Sequence, residues 1–101
     1  MAFSPPPELR ALAERVATIV RMELGAATQV YWFGSWVWGE ATPRSDLDIG
    51  VLAAAALSPA TRAALDDQID ALPTLRGIDV VDMQSVREEL RARVTRDGIA
   101  L

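Results

Sequence analysis

The chain contains no cysteine, no histidine and no lysine. Without cysteine it forms no disulfide, carries no thiolate nucleophile and offers zinc no sulfur ligand. Without histidine it has no Ser-His couple, no imidazole acid–base group and few means of holding a transition metal. All ten basic residues are arginine, which excludes a phosphate-binding loop built around lysine. No segment approaches the roughly 20 apolar residues of a membrane helix. The opening MAFSPPPELR lacks the basic-then-apolar order of a secretory signal. A cytoplasmic location is the default expectation, with no membrane contact. A net charge of −4 at pH 7 argues against a surface devoted to nucleic acid, which is ordinarily basic. Any chemistry must come from carboxylates, guanidiniums, hydroxyls and backbone groups, a set that suits hard cations bound through oxygen.

What is present is enough for one core. Half of the 101 residues are hydrophobic, and the length fits a single domain over residues 1–101. Ser4-Pro5-Pro6-Pro7-Glu8 reads as an arm entering a helix, with proline and glutamate suited to a first turn. Leu9, Leu12, Val16 and Ile19 continue it at helical spacing, and Gly25 ends it. Gln29 to Phe33, β-branched and aromatic, is a short strand stopped by Gly34-Ser35. A short helix over Ser35 to Glu40 with Ser35 as its cap is expected next, then a loop through Thr42-Pro43-Arg44-Ser45. Asp46 to Leu52 forms a second strand. Ser58-Pro59 starts a helix whose stripe is Leu65, Ile69 and Leu72. Ile78 to Met83 is a third strand, and a last helix runs from about Ser85 to Arg96, stopped by Gly98. The order predicts an α/β (α+β) fold, with a small mixed sheet and helices packed on one face.

Asp46 and Asp48 stand two apart on a strand, so both side chains leave one face of the sheet, opposite Leu47, Ile49 and Val51. Adjacent carboxylates repel, and a divalent cation is the simplest offset. Magnesium takes one or two carboxylates together with phosphate oxygens and water. Two acids on a solvated strand face is the alternative. A strand ending in Gly34-Ser35 at a helix start presents N–H groups and a hydroxyl that suit phosphate oxygens. An ordinary strand-to-helix turn is the alternative here. The combination is more specific than either part: strand, Gly34-Ser35, short helix with Gly39, loop, then Ser45-Asp46-Leu47-Asp48.

That segment resembles the signature of the polymerase-beta-like nucleotidyltransferase superfamily, and the length and element order resemble its minimal (MNT) branch. The resemblance implies a nucleotidyltransferase fold, ATP as substrate and magnesium held by Asp46 and Asp48. It implies that Gly34 and Ser35 grip the β- and γ-phosphates, with Arg44 and Ser45 also at the nucleotide. It also implies a third carboxylate on a later strand. Ile78-Asp79-Val80-Val81-Asp82 offers two on opposite faces. With Ile78 and Val80 under the helices, Asp79 joins Asp46 and Asp48, as metal ligand and as base towards an incoming hydroxyl. Asp82 then caps the next helix or pairs locally. The sequence departs from the pattern at Trp36 and Trp38, where minimal members often carry arginine. Arg44 is a partial substitute. The two tryptophans either pack, in the core or at an interface, or stack on a base.

MNT proteins pair with HEPN-domain RNases as toxin–antitoxin systems. The resemblance therefore implies an adenylyltransferase that moves AMP from ATP to a tyrosine of a HEPN toxin, in a hetero-oligomer with it. Neutralisation by binding alone and transfer to a small molecule are the alternatives.

Overall fold

The structure, a computed structural model, describes residues 5–101, so Ser4 and the start of the expected arm lie outside the described residues. The first helix, α1 (Pro7–Leu24), carries proline at its start and Glu8 in its first turn. It buries Leu9, Ala13, Val16, Ala17 and Val20 at helical spacing. Burying each of the larger of these side chains contributes about 1.5–3 kcal/mol. Gly25, at φ 112°, ends the helix and donates its N–H to the Arg21 carbonyl at 2.8 Å.

Strand β1 (Gln29–Phe33) leads into a single helical turn, α2 (Ser35–Trp38), and a loop to β2 (Leu47–Leu52). Helix α3 (Pro59–Asp70) follows, capped by the Ser58 hydroxyl, which accepts from the Thr61 N–H at 3.2 Å. Then come β3 (Ile78–Asp82), α4 (Glu88–Asp97) and β4 (Ile99–Ala100). The sheet order is β3-β2-β1-β4, with β1 antiparallel to both β2 and β4 and β3 parallel to β2. This mixed sheet with its helices is the expected fold class. Among the described residues no helix is long and apolar enough to cross a membrane.

Strand alternation sorts the core. Val30, Trp32, Leu47, Ile49, Val51 and Val80 lie under α1 and α3, as expected. The opposite face is not bare. Phe33, Met83 and Val94 are buried there, with Tyr31, Val81 and Leu90 packed against them. Helix α4 therefore departs from the expected one-sided cover. The apolar side chains alternating with the main core need a lid, and the amphipathic α4 supplies one over part of that face.

The structure departs from the sequence reading at several element ends and in one added strand. Gly34, not Ser35, is the cap of α2, its carbonyl accepting from the Val37 and Trp38 N–H groups at 3.1 and 2.9 Å. Asp46 stands just outside β2, whose first ladder residue is Leu47. Helix α4 starts at Glu88 and not near Ser85, because residues 82–85 are held in a turn. The Ser85 N–H donates to the Asp82 carbonyl at 3.0 Å, and the Gln84 N–H donates to Asp82 Oδ1 at 3.0 Å. Strand β4 escaped the sequence reading since two residues carry no periodicity. It forms by pairing Ile99 and Ala100 with Trp32 and Tyr31.

Candidate active site

The sequence-predicted residues gather at the end of the sheet where β1 stops and β2 and β3 begin. Phe33 pairs with Asp48, and Asp48 with Asp79, so Asp48 and Asp79 stand side by side on the face away from α1 and α3. Gly34 lies directly against Asp48. A Cβ on Gly34 would overlap the Asp48 carboxylate, and the residue sits at φ 85°, ψ −157°. Both the contact and the dihedrals require glycine. Gly77, just before β3, makes the same room for the Asp46 carboxylate. The Gly77 carbonyl accepts the Leu47 N–H at 2.9 Å, which fixes Asp46 at the mouth of β2.

Asp48 is half-buried, while Asp46 and Asp79 are exposed. Burial pushes the Asp48 carboxyl up to about 6, and repulsion from Asp79 and then Asp46 adds to it. No salt bridge reaches any of the three among the described residues. The donor set is oxygen alone, crowded, and without a compensating side-chain charge, so it fits a hard divalent cation. It is an open set. Among the described residues no three carboxylates are placed to hold a metal ion by themselves, so a cation here would need further oxygen ligands, such as phosphate and water. Asp82 is elsewhere. Its carboxylate accepts from the Leu57 N–H at 2.8 Å, the Gln84 N–H at 3.0 Å and the Ser85 hydroxyl at 3.3 Å. It pairs locally, tying the approach to α3 to the end of β3.

The Ser35 side chain makes no hydrogen bond among the described residues and is partly exposed beside Gly34. Ser45 is occupied differently. Its hydroxyl accepts the Thr42 N–H at 2.9 Å and so closes the loop ahead of Asp46. Arg44 is exposed on that loop.

Trp36 and Trp38 have separate tasks that the sequence did not separate. The Trp36 indole donates to the Ser45 carbonyl at 3.0 Å. Arg76 Nη1 donates to the same carbonyl at 2.8 Å, and its guanidinium lies 5.2 Å from the Trp36 ring centroid. Trp38 packs on Phe33, centroids 6.1 Å apart, with the Arg93 guanidinium 3.7 Å from its own centroid. Two guanidiniums thus flank α2 although α2 itself contains none. Sequence reasoning missed both, since Arg76 and Arg93 lie far along the chain and only the fold brings them to the tryptophans.

The fold has relatives among solved structures. A structure of a minimal nucleotidyltransferase aligns over 100% of both chains at 28% identity and TM-score 0.73. A toxin–antitoxin complex with AMP-PNP contains a chain 29% identical, with TM-score 0.68, covering 87% of this chain and 70% of that one. A tri-AMPylated Shewanella oneidensis HEPN toxin in complex with MNT antitoxin matches at 26% identity and TM-score 0.65, over 91% and 70%. Comparison with curated proteins gave no match. The profile of the family "Polymerase beta, Nucleotidyltransferase" matches residues 16–101, and with Gly34, Asp46 and Asp48 all inside that span the chain belongs to this nucleotidyltransferase family.

Proposed function

We propose that this chain is an antitoxin-type adenylyltransferase that moves AMP from ATP to a tyrosine hydroxyl of a HEPN-domain toxin. The observation that carries the reading is Asp48, pressed against Gly34 and raised to about 6 between Asp79 and Asp46. Crowded carboxylates without a compensating charge suit a metal-bound triphosphate. The likeness to an AMP-PNP complex and to an AMPylated HEPN toxin with its antitoxin supports the nucleotide and the acceptor. ATP and magnesium are at hand in the cytoplasm, where the sequence reading puts the chain.

In this reading Asp46, Asp48 and Asp79 hold magnesium, whose chemistry is to neutralise charge on the reacting phosphates. Gly34 and Ser35 receive the outer phosphates through N–H and hydroxyl donors, with Arg44 from the neighbouring loop. Asp79 accepts the proton of the acceptor hydroxyl. The acceptor oxygen bonds to the α-phosphorus, the bond from that phosphorus to the bridging oxygen breaks, and pyrophosphate leaves with the electron pair. Asp46 is kept in place by its loop, which Trp36 and Arg76 anchor at Ser45.

A second reading rests on α2. Trp36 and Trp38 are committed to packing and to Ser45, so α2 gives a triphosphate no cation of its own. The chain then neutralises its partner by binding alone. Co-expression with the HEPN-domain partner separates the two. Intact mass gains of one AMP unit, lost in Asp46→Asn and Asp48→Asn, support transfer. Full neutralisation by Asp48→Asn, with no mass gain in the wild type, establishes binding alone.

A further inference from the structure

A cavity of about 760 Å³ adjoins the nucleotide site just described and shares Asp46 and Arg44 with it. Its walls are the start of α1, the loop carrying Pro43 and Arg44, and the segment from Pro73 to Gly77. We infer that this cavity docks the acceptor-bearing segment of the partner protein, a segment presenting acidic and apolar side chains. The inference rests on the adenylyltransferase reading above and names where its acceptor is held.

Position argues first. β2 lies between β1 and β3, so Gly34-Ser35 and the segment leading into β3 are on opposite sides of Asp48. If outer phosphates lie at Gly34-Ser35, the acceptor comes from the β3 side, and the cavity reaches Gly77, just ahead of that strand. Asp46 is common to both, since it lines the cavity and its carboxylate lies against Gly77.

Chemistry argues next. Arg15, Arg44 and Arg76 line the cavity against Glu8 and Asp46, a local positive balance on a chain of net charge −4. None of the three arginines makes a salt bridge among the described residues. The apolar lining is Leu9, Ala11, Leu12, Pro43, Pro73 and Leu75. Leu75 is fully exposed, at 107%, and only it and Met22 are large apolar side chains left in solvent among the described residues. An exposed leucine in a cavity lined by three arginines fits a protein segment with carboxylates around an apolar anchor. No aromatic residue lines the cavity, so a nucleobase would find no ring to stack on.

The test uses Arg15→Glu and Leu75→Glu, both at exposed positions outside the phosphate and metal residues. Three quantities are read: AMP-PNP affinity of the chain alone, affinity for its HEPN-domain partner, and the rate of AMP transfer. Thermal melting checks that both variants fold, and Arg15→Lys is the conservative control. The expected result is a loss of partner affinity of about tenfold in each variant, with KM for the partner rising in parallel. AMP-PNP affinity stays within about twofold and Arg15→Lys behaves as the wild type. Partner affinity and KM unchanged in both variants overturns the inference. So does a parallel fall in AMP-PNP affinity, which assigns the cavity to the nucleotide. A wild-type chain that transfers nothing fails the adenylyltransferase reading instead, and the partner affinities of the two variants still decide the docking site.

Discussion

Trp36 and Arg76 share one acceptor, the Ser45 carbonyl, at 3.0 and 2.8 Å, while the guanidinium lies over the indole. Forty residues apart in the chain, they clamp the loop immediately ahead of Asp46. Because the two donors serve the same oxygen, their contributions are not independent. Trp36→Phe keeps a ring under Arg76 and removes one donor, and is expected to cost about 1 kcal/mol. Removing Arg76 as well costs more than the two single losses added. A double-mutant cycle of urea unfolding measures this, and additive losses refute a shared clamp.

Gly34 admits no side chain. A Cβ there overlaps the Asp48 carboxylate, and φ 85° with ψ −157° is strained for any other residue. Gly34→Ala should therefore lose about 1–3 kcal/mol from the backbone conformation alone. It should also lose AMP-PNP binding, because Asp48 must move. Calorimetry with AMP-PNP and magnesium provides the check, and normal binding would show that Asp48 has no fixed position to defend.

Asp48 makes stability depend on pH in a definite direction. Its folded-state value is raised from 3.8 to about 6, so between those values the folded chain binds more protons than the unfolded one. The metal-free protein is then stabilised by the proton at low pH and loses that contribution as pH rises from about 4 to about 6. Asp48→Asn should melt higher than the wild type at pH 7, with the gap closing below pH 4. Magnesium at pH 7 should raise the melting temperature of the wild type and leave Asp48→Asn unmoved. A wild-type melting curve flat across this window, with no response to magnesium, contradicts the assignment.

Asp79 and Asp82 are three residues apart and should behave as opposites. Asp79 is exposed, stands beside Asp48 on the sheet and repels it. Asp82 accepts three hydrogen bonds that tie Leu57, Gln84 and Ser85 together. Asp79→Asn is expected to abolish transfer without loss of stability. Asp82→Ala is expected to cost about 1–3 kcal/mol and to leave transfer largely intact below its melting point. Paired melting and transfer assays read both, and an active Asp79→Asn removes it from the site.

Much of the fold was legible because its signals are local. Helix α1 is written in the spacing of Leu9, Val16 and their neighbours, α3 in the Ser58 cap, and β2 in Leu47, Ile49 and Val51 opposite Asp48. The position of α4 on the far face was not legible. That depended on where Phe33, Val81 and Met83 needed cover once the sheet was assembled. Strand β4 exists only because β1 offers it an edge.

By itself, then, the sequence determined which groups are available and which strand face they share. It holds no cysteine, histidine or lysine, and it places Asp48 and Asp79 by the period-two rule of strands. Only the tertiary structure decided the rest. Parallel pairing of β2 with β3 set Asp79 beside Asp48, and close packing pressed Gly34 onto that carboxylate and raised its pKa. Arg76 and Arg93 reached the two tryptophans through contacts between residues distant in the chain. The physical reason is range. Backbone periodicity acts over a few neighbours, whereas desolvation, repulsion and stacking depend on distances that exist only after the chain has folded.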